Sequence, residues 1–195
     1  MTDSQVTGLR SIEYNVPDLA KTSRFYEECW GLEKIAEIKN EHFFRASGSE
    51  HHIVVLQEGA APGVKRINFA ATDKTTVDSF HDKLRGLGIE IKHNPAVIEG
   101  PGGGYGFGFR DRDGIQYAIS SDVAVHADTS MESDRPFKLS HVVLNSTKVE
   151  DQTEFFRDIL GFRVSDRTER MNFIRCSPDH HSVAFAHSQG ASLNH

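Results

Sequence analysis

Apolar positions along the chain switch from strand-like alternation to helical spacing and back, and the switch recurs. The segment LRSIEYNVPDLAKTSRFYEECWGLEKI, from Leu9, aligns without gaps on LSHVVLNSTKVEDQTEFFRDILGFRVS, from Leu139, at an offset of 130 residues. Leu19, Phe25, Tyr26 and Cys29 fall on Val149, Phe155, Phe156 and Ile159, which gives each copy one apolar helical face. Gly31 and Gly161 coincide as helix stops, and Asp18 and Thr147 are the expected N-caps. Strand-like residues 12–16 and 142–145 precede the helices. Short β-rich stretches, such as residues 43–46 and 52–56, follow them. Each unit is therefore predicted to be βαβββ.

A more diverged copy runs from VKRINFAAT through TTVDSFHDKLRGLG to GYGFGFRDRDGIQYAIS. The fold class is accordingly α+β, built of tandem βαβββ modules. Residues 1–123 are expected to form one domain of two modules without metal. Residues 124–136, polar and aperiodic, form a linker or wrapping connection. Residues 137–195 form the first half of a second domain. SLNH opens a fourth module whose remainder lies past the end of the sequence, so a longer protein is expected, or a homo-oligomer that covers the exposed sheet edge.

Composition narrows the partners. The formal charge is -6 with Lys and Arg scattered, so no basic stripe suits a nucleic acid. No apolar run could span a bilayer, and MTDSQVTGLR lacks the layout of a signal peptide, so the expected location is cytoplasmic, away from membranes. The two cysteines, Cys29 and Cys176, lie far apart in sequence, which argues against a cysteine metal site and for two buried apolar residues.

Paired βαβββ modules of this kind resemble the vicinal oxygen chelate (glyoxalase/bleomycin resistance/dioxygenase) superfamily over nearly the whole chain. LSHVVLNS, FIRCSPDHHSVAF and SLNH are similar to type I extradiol dioxygenases, enzymes that open catechols beside their two hydroxyls. The resemblance implies Fe(II), with Mn(II) as the alternative, and His141 and His195 as two metal ligands. It also implies His181 as the acid/base group near the metal. The substrates implied are a catechol-type aromatic diol and dioxygen, in aromatic catabolism. In the N-terminal pair the ligand positions carry Ser11, Arg66 and Ala118, so no metal is expected there. The carboxylate that would complete the set falls beyond His195.

The competing readings are a metal-dependent isomerase of the glyoxalase type and a non-catalytic ligand-binding module. His180 and His181 are expected to adjoin on a strand and so to point to opposite faces, which lets only one enter a cavity. EGPGGGYGFGFRDRDG does not open a helix as a nucleotide-binding loop would, and reads as strand and turn glycines. Asp111 and Asp113 read as a reverse turn without metal. Arg45 and Arg175 share a repeat position, which predicts a structural ion pair for each.

Overall fold

The computed structural model describes residues 6–131 and 134–195. Residues 1–5, at the head of the expected first domain, and 132–133, within the expected linker, lie outside the described residues. The first module comprises β1 (Gly8–Val16), α1 (Leu19–Glu28), β2 (Glu33–Ile38), β3 (Glu41–Arg45) and β4 (Val54–Glu58). The second comprises β5 (Gly63–Ala70), α2 (Lys74–Gly86), β6 (Glu90–Val97), β7 (Tyr105–Arg110) and β8 (Gln116–Ser121). The third comprises β9 (Val142–Ser146), α3 (Val149–Asp158), β10 (Arg163–Arg167), β11 (Met171–Arg175) and β12 (Val183–His187), and β13 (Ser192–Leu193) follows. The fold is α+β, of tandem βαβββ modules.

The first two modules share an eight-stranded sheet, ordered β2-β3-β4-β1-β5-β8-β7-β6, and the rest form a five-stranded sheet, ordered β10-β11-β12-β9-β13. In each sheet the opening strand pairs in parallel with the last strand of its own module, Ile12 beside Val54 and Val142 beside Val183. It pairs antiparallel with the opening strand of the next unit, β1 with β5 and β9 with β13. β13 thus stands beside β9 as β5 stands beside β1.

Local chemistry explains the helix ends. Asp18 caps α1 by accepting from the Lys21 amide at 2.8 Å. Thr147 does not cap α3: the cap is Lys148, whose amide is taken instead by Ser146 Oγ at 2.9 Å. Glu150 and Asp151 then place negative charge on the first turn of α3. Gly31 and Gly161 adopt left-handed φ of 64° and 78°, which ends both helices where the repeat predicts.

The two helices use their matching patterns differently. α3 buries Val149, Gln152, Thr153 and Phe156, a face at helical spacing, and Phe156 packs against Phe69 and Tyr117 of the first sheet. α1 buries only Leu19 and Ser23, and Phe25 is 51% exposed. Cys29, expected to be buried, is exposed because it caps this partly uncovered helix; Cys176 is half-buried. The third module also meets the first pair through the Val6 amide on the Leu160 carbonyl and Lys83 Nζ on the carbonyls of Asp158 and Ile159. The last contact sets a cation on the carboxyl end of α3.

The connection between the sheets wraps the first module. The amides of Ser47 and Gly48 bond the carbonyls of Pro136 and Phe137, and a side chain at Gly48 would stand 2.3 Å from the Phe137 oxygen. Arg45 pairs with Asp128 of this segment at 3.1 Å, whereas Arg175 has no ion pair among the described residues. The shared ion pair expected for the two arginines therefore exists only in the first module, where the connection supplies the carboxylate. No helix among the described residues is long and apolar enough to cross a membrane.

Candidate metal centre

His141 immediately precedes β9, and its half-buried ring lies 4.3 Å from the His181 ring and 5.8 Å from the His195 ring, centroid to centroid. Three imidazoles from separate parts of the third unit thus meet at one place. The backbone explains why. Leu193 lies opposite Leu144, Asn194 is an extra residue, and the His195 carbonyl then accepts from the Val143 amide at 2.7 Å. This bulge turns His195 toward β9.

His180 and His181 are not on a strand. They lie in the loop before β12, their Nδ1 atoms 3.0 Å apart, with His181 edge-on to Phe173 at 5.1 Å. Alternation across a pleat therefore does not choose between them. His181 is singled out by its contact with His141, while His180 is exposed.

The donor chemistry suits a divalent metal. Ser140 Oγ meets His141 Nδ1 at 3.0 Å, and Asn194 Oδ1 meets His195 Nδ1 at 2.9 Å. An amide oxygen only accepts, so His195 Nδ1 donates and Nε2 carries the lone pair. The Ser140 hydroxyl can donate or accept, and when it accepts from His141 Nδ1 it leaves Nε2 to bind. Burial, then the neighbouring His195, lowers the pKa of His141; burial, then His141 and the other nearby histidines, lowers that of His181. Both rings are thereby held toward the neutral, ligating form. Among the described residues no three His, Cys, Asp or Glu side chains are disposed to hold a metal by themselves. The residues fit part of a metal site, two imidazoles with a third beside them.

The first two modules repeat the framework with other side chains. Arg66 lies opposite Glu13 across the same kind of bulge, with Lys65 as the extra residue, so its register position is that of His195. Its guanidinium bonds Glu13 Oε1 at 2.7 Å. Ser11 Oγ accepts from Asn68 Nδ2 at 3.0 Å, and Ala118 pairs with Asn68 in the strand register. None of Ser11, Arg66 and Ala118 is a metal ligand by type.

One correspondence escapes an alignment at constant offset. His51 and His52, before β4, have Nδ1 atoms 3.1 Å apart, and His52 is edge-on to Phe43 at 5.2 Å, repeating His180, His181 and Phe173. The loop before β12 is one residue shorter than the loop before β4, so the offset becomes 129. The adjacent His-His dipeptides were the visible signal.

Comparison with known proteins adds the following. The family model described as "Glyoxalase/Bleomycin resistance protein/Dioxygenase superfamily" matches residues 8–119 and 138–195. A manganese-dependent 2,3-dihydroxybiphenyl 1,2-dioxygenase of Geobacillus genomosp. 3 is 25% identical over 164 residues, 77% of this chain and 52% of the relative. An iron-dependent extradiol dioxygenase of Rhodococcus jostii (strain RHA1) is 37% identical over 62 residues, 24% of this chain and 21% of the relative. The crystal structure of the Mn(II)-bound glyoxalase from Novosphingobium aromaticivorans superposes with a TM-score of 0.94 at 38% identity, covering 98% of this chain and 65% of that one. The chain spans about half the length of the first of these relatives, or less of the second.

Proposed function

Since the chain belongs to the glyoxalase/bleomycin resistance protein/dioxygenase superfamily, we propose that it takes part in extradiol cleavage of a catechol-type substrate by dioxygen, with Fe(II) or Mn(II) as the metal. The observation that carries the reading is the meeting of His141, His181 and His195 in residues 138–195, where the first two modules have Ser11, His52 and Arg66. Relatives that use manganese and iron support the choice of metals.

In this reading His141 and His195 hold the metal through Nε2, with a carboxylate completing the set. A metal bound by two imidazoles and a carboxylate supplies open positions for oxygen ligands and the redox capacity to engage dioxygen. His181, neutral and beside His141, accepts the proton of an incoming catechol hydroxyl. Phe173 lies edge-on to its ring, and its Nδ1 shares one proton with His180 Nδ1 across 3.0 Å. The division proposed is a metal-free domain over residues 1–123, a connection over 124–136 and the beginning of a catalytic domain over 137–195. β13, at the sheet edge, is covered by a second copy in a homo-oligomer.

A glyoxalase-type isomerase is the second reading, favoured by the 38% identity to the Mn(II)-bound glyoxalase. One experiment separates the two. The protein is loaded anaerobically with Fe(II) or Mn(II), desalted and assayed for bound metal. Dioxygen uptake with catechols and isomerisation of a hemithioacetal are then followed. Metal retention that is lost in His141→Ala and His195→Ala, with catechol-dependent dioxygen uptake, is the expected result. Isomerisation without uptake selects the second reading. No metal retention by the unaltered protein, with acetate present to supply the carboxylate, counts against both.

A further inference from the structure

The glycine-rich segment of residues 99–104 and the buried ion pair of Glu13 with Arg66 have no part in the centre above, yet they meet at one cavity. It measures about 230 Å³, and its floor includes Ser11, Arg66 and His52, the register counterparts of His141, His195 and His181. Residues of the glycine-rich segment form its lip. Gly102, Gly103 and Gly104 have φ of 86°, 57° and 110°, a path that side chains other than hydrogen resist. This gives the sequence motif a role as the mouth of a cavity.

The floor neutralises its own charge. Arg66 is paired with Glu13 at 2.7 Å and Arg10 with Glu50 at 2.8 Å. Burial lowers the His52 pKa to about 4, so this ring is uncharged near neutrality. Both arginines are thus spoken for, so an anionic ligand would find no free counter-charge and would be desolvated at a cost, whereas Glu99 at the lip has no ion pair among the described residues.

Hydrogen-bonding capacity nevertheless remains. Ser11 Oγ already accepts from Asn68, which leaves its hydroxyl proton to donate. Arg66 engages Glu13 through Nε and Nη2 and makes no bond with Nη1 among the described residues. These donors face an oxygen acceptor. The walls, with Phe43, Ile38, Ile98 and Val123, are apolar. The volume exceeds the roughly 150 Å³ in which an apolar cavity takes up benzene.

We propose that the cleft of the first two modules is a metal-independent binding site for a small uncharged aromatic carrying a hydroxyl or carbonyl oxygen. The ring lies against Phe43 and Ile98, and the oxygen points to Ser11 and Arg66. The site stands apart from the metal centre, and its test is made with chelator present so that the two are distinguished.

Phenol is titrated into the intact chain in EDTA and followed by amide NMR shifts, with benzoate as the anionic control. Saturable shifts at Ser11, Gly103 and Ser120 are expected, with benzoate binding at least tenfold more weakly. Ser11→Ala should weaken phenol about tenfold, the equivalent of one lost hydrogen bond. Ile98→Trp, at the partly exposed mouth, should abolish binding while the circular dichroism spectrum is kept. Shifts that never saturate, or that centre on the third module, overturn the proposal. So does phenol affinity unchanged in Ser11→Ala, or benzoate binding tighter than phenol.

Discussion

His52 shows how one side chain can tie stability to pH. Desolvation is the main cause of its low pKa, with His51 adding repulsion, and its value of about 4 lies well below the ordinary 6.5. Because the folded state binds the proton less readily than the unfolded chain, the stabilisation is full above about pH 6.5. It is lost as the pH falls toward 4. At pH 5 the loss amounts to about 2 kcal/mol. His52→Gln should therefore lose less stability than the unaltered protein between pH 7 and pH 5, by about that amount in urea unfolding. An unchanged difference would mean that the ring is hydrated. Asp111 acts in the opposite sense. Burial raises its pKa to about 6 even though its side chain accepts from the amides of Asp113 and Ile115, so it favours the fold at low pH and loses that contribution as the pH rises through 6. At this scale the turn role of Asp111 was legible in the sequence, and the resemblance singled out His141, His181 and His195, whose rings the fold brings near one another. It did not reveal the burial of His52, because that depends on Phe43 and on charged neighbours brought together by strand pairing.

Among the elements, α3 is where a repeated pattern acquires a new partner. Phe156 touches Phe162 and Phe185 at 5.1 Å as well as Phe69 and Tyr117. Phe156→Ala should cost about 3–5 kcal/mol in chemical denaturation, since the surrounding rings belong to two sheets and cannot collapse together. The aligned substitution Tyr26→Ala should cost less, because Tyr26 is only half-buried on a helix left partly uncovered. Equal costs would contradict this difference. Helix positions, glycine stops and the βαβββ order were legible because they follow from periodicity within each segment. The N-cap of α3, the exposure of Cys29 and the loop setting of His180 and His181 were not, since each depends on contacts or register outside the local pattern.

Taken as a whole, the chain has a hydrophobic core that runs through both sheets, from Val77 and Phe80 of α2 through Phe69 and Tyr117 to Phe156 and Val183. The Lys83 contact with the end of α3 joins the same surfaces. Heating should therefore give one calorimetric transition, with agreement between van't Hoff and calorimetric enthalpies, in place of separate melting of the two sheets. Two resolved peaks would show that the shared core is too weak to couple them. The third module was legible as a repeat, but its attachment to the first pair was not, because the joining residues are far apart in sequence.

The bulges at Lys65 and Asn194 occupy the same rung of their respective sheets. The two halves thus follow one peptide path and display different side chains on it. For protein engineers, an imidazole pair could be installed in the first half by exchange at positions 11 and 66 alone, without insertion, deletion or a redrawn loop.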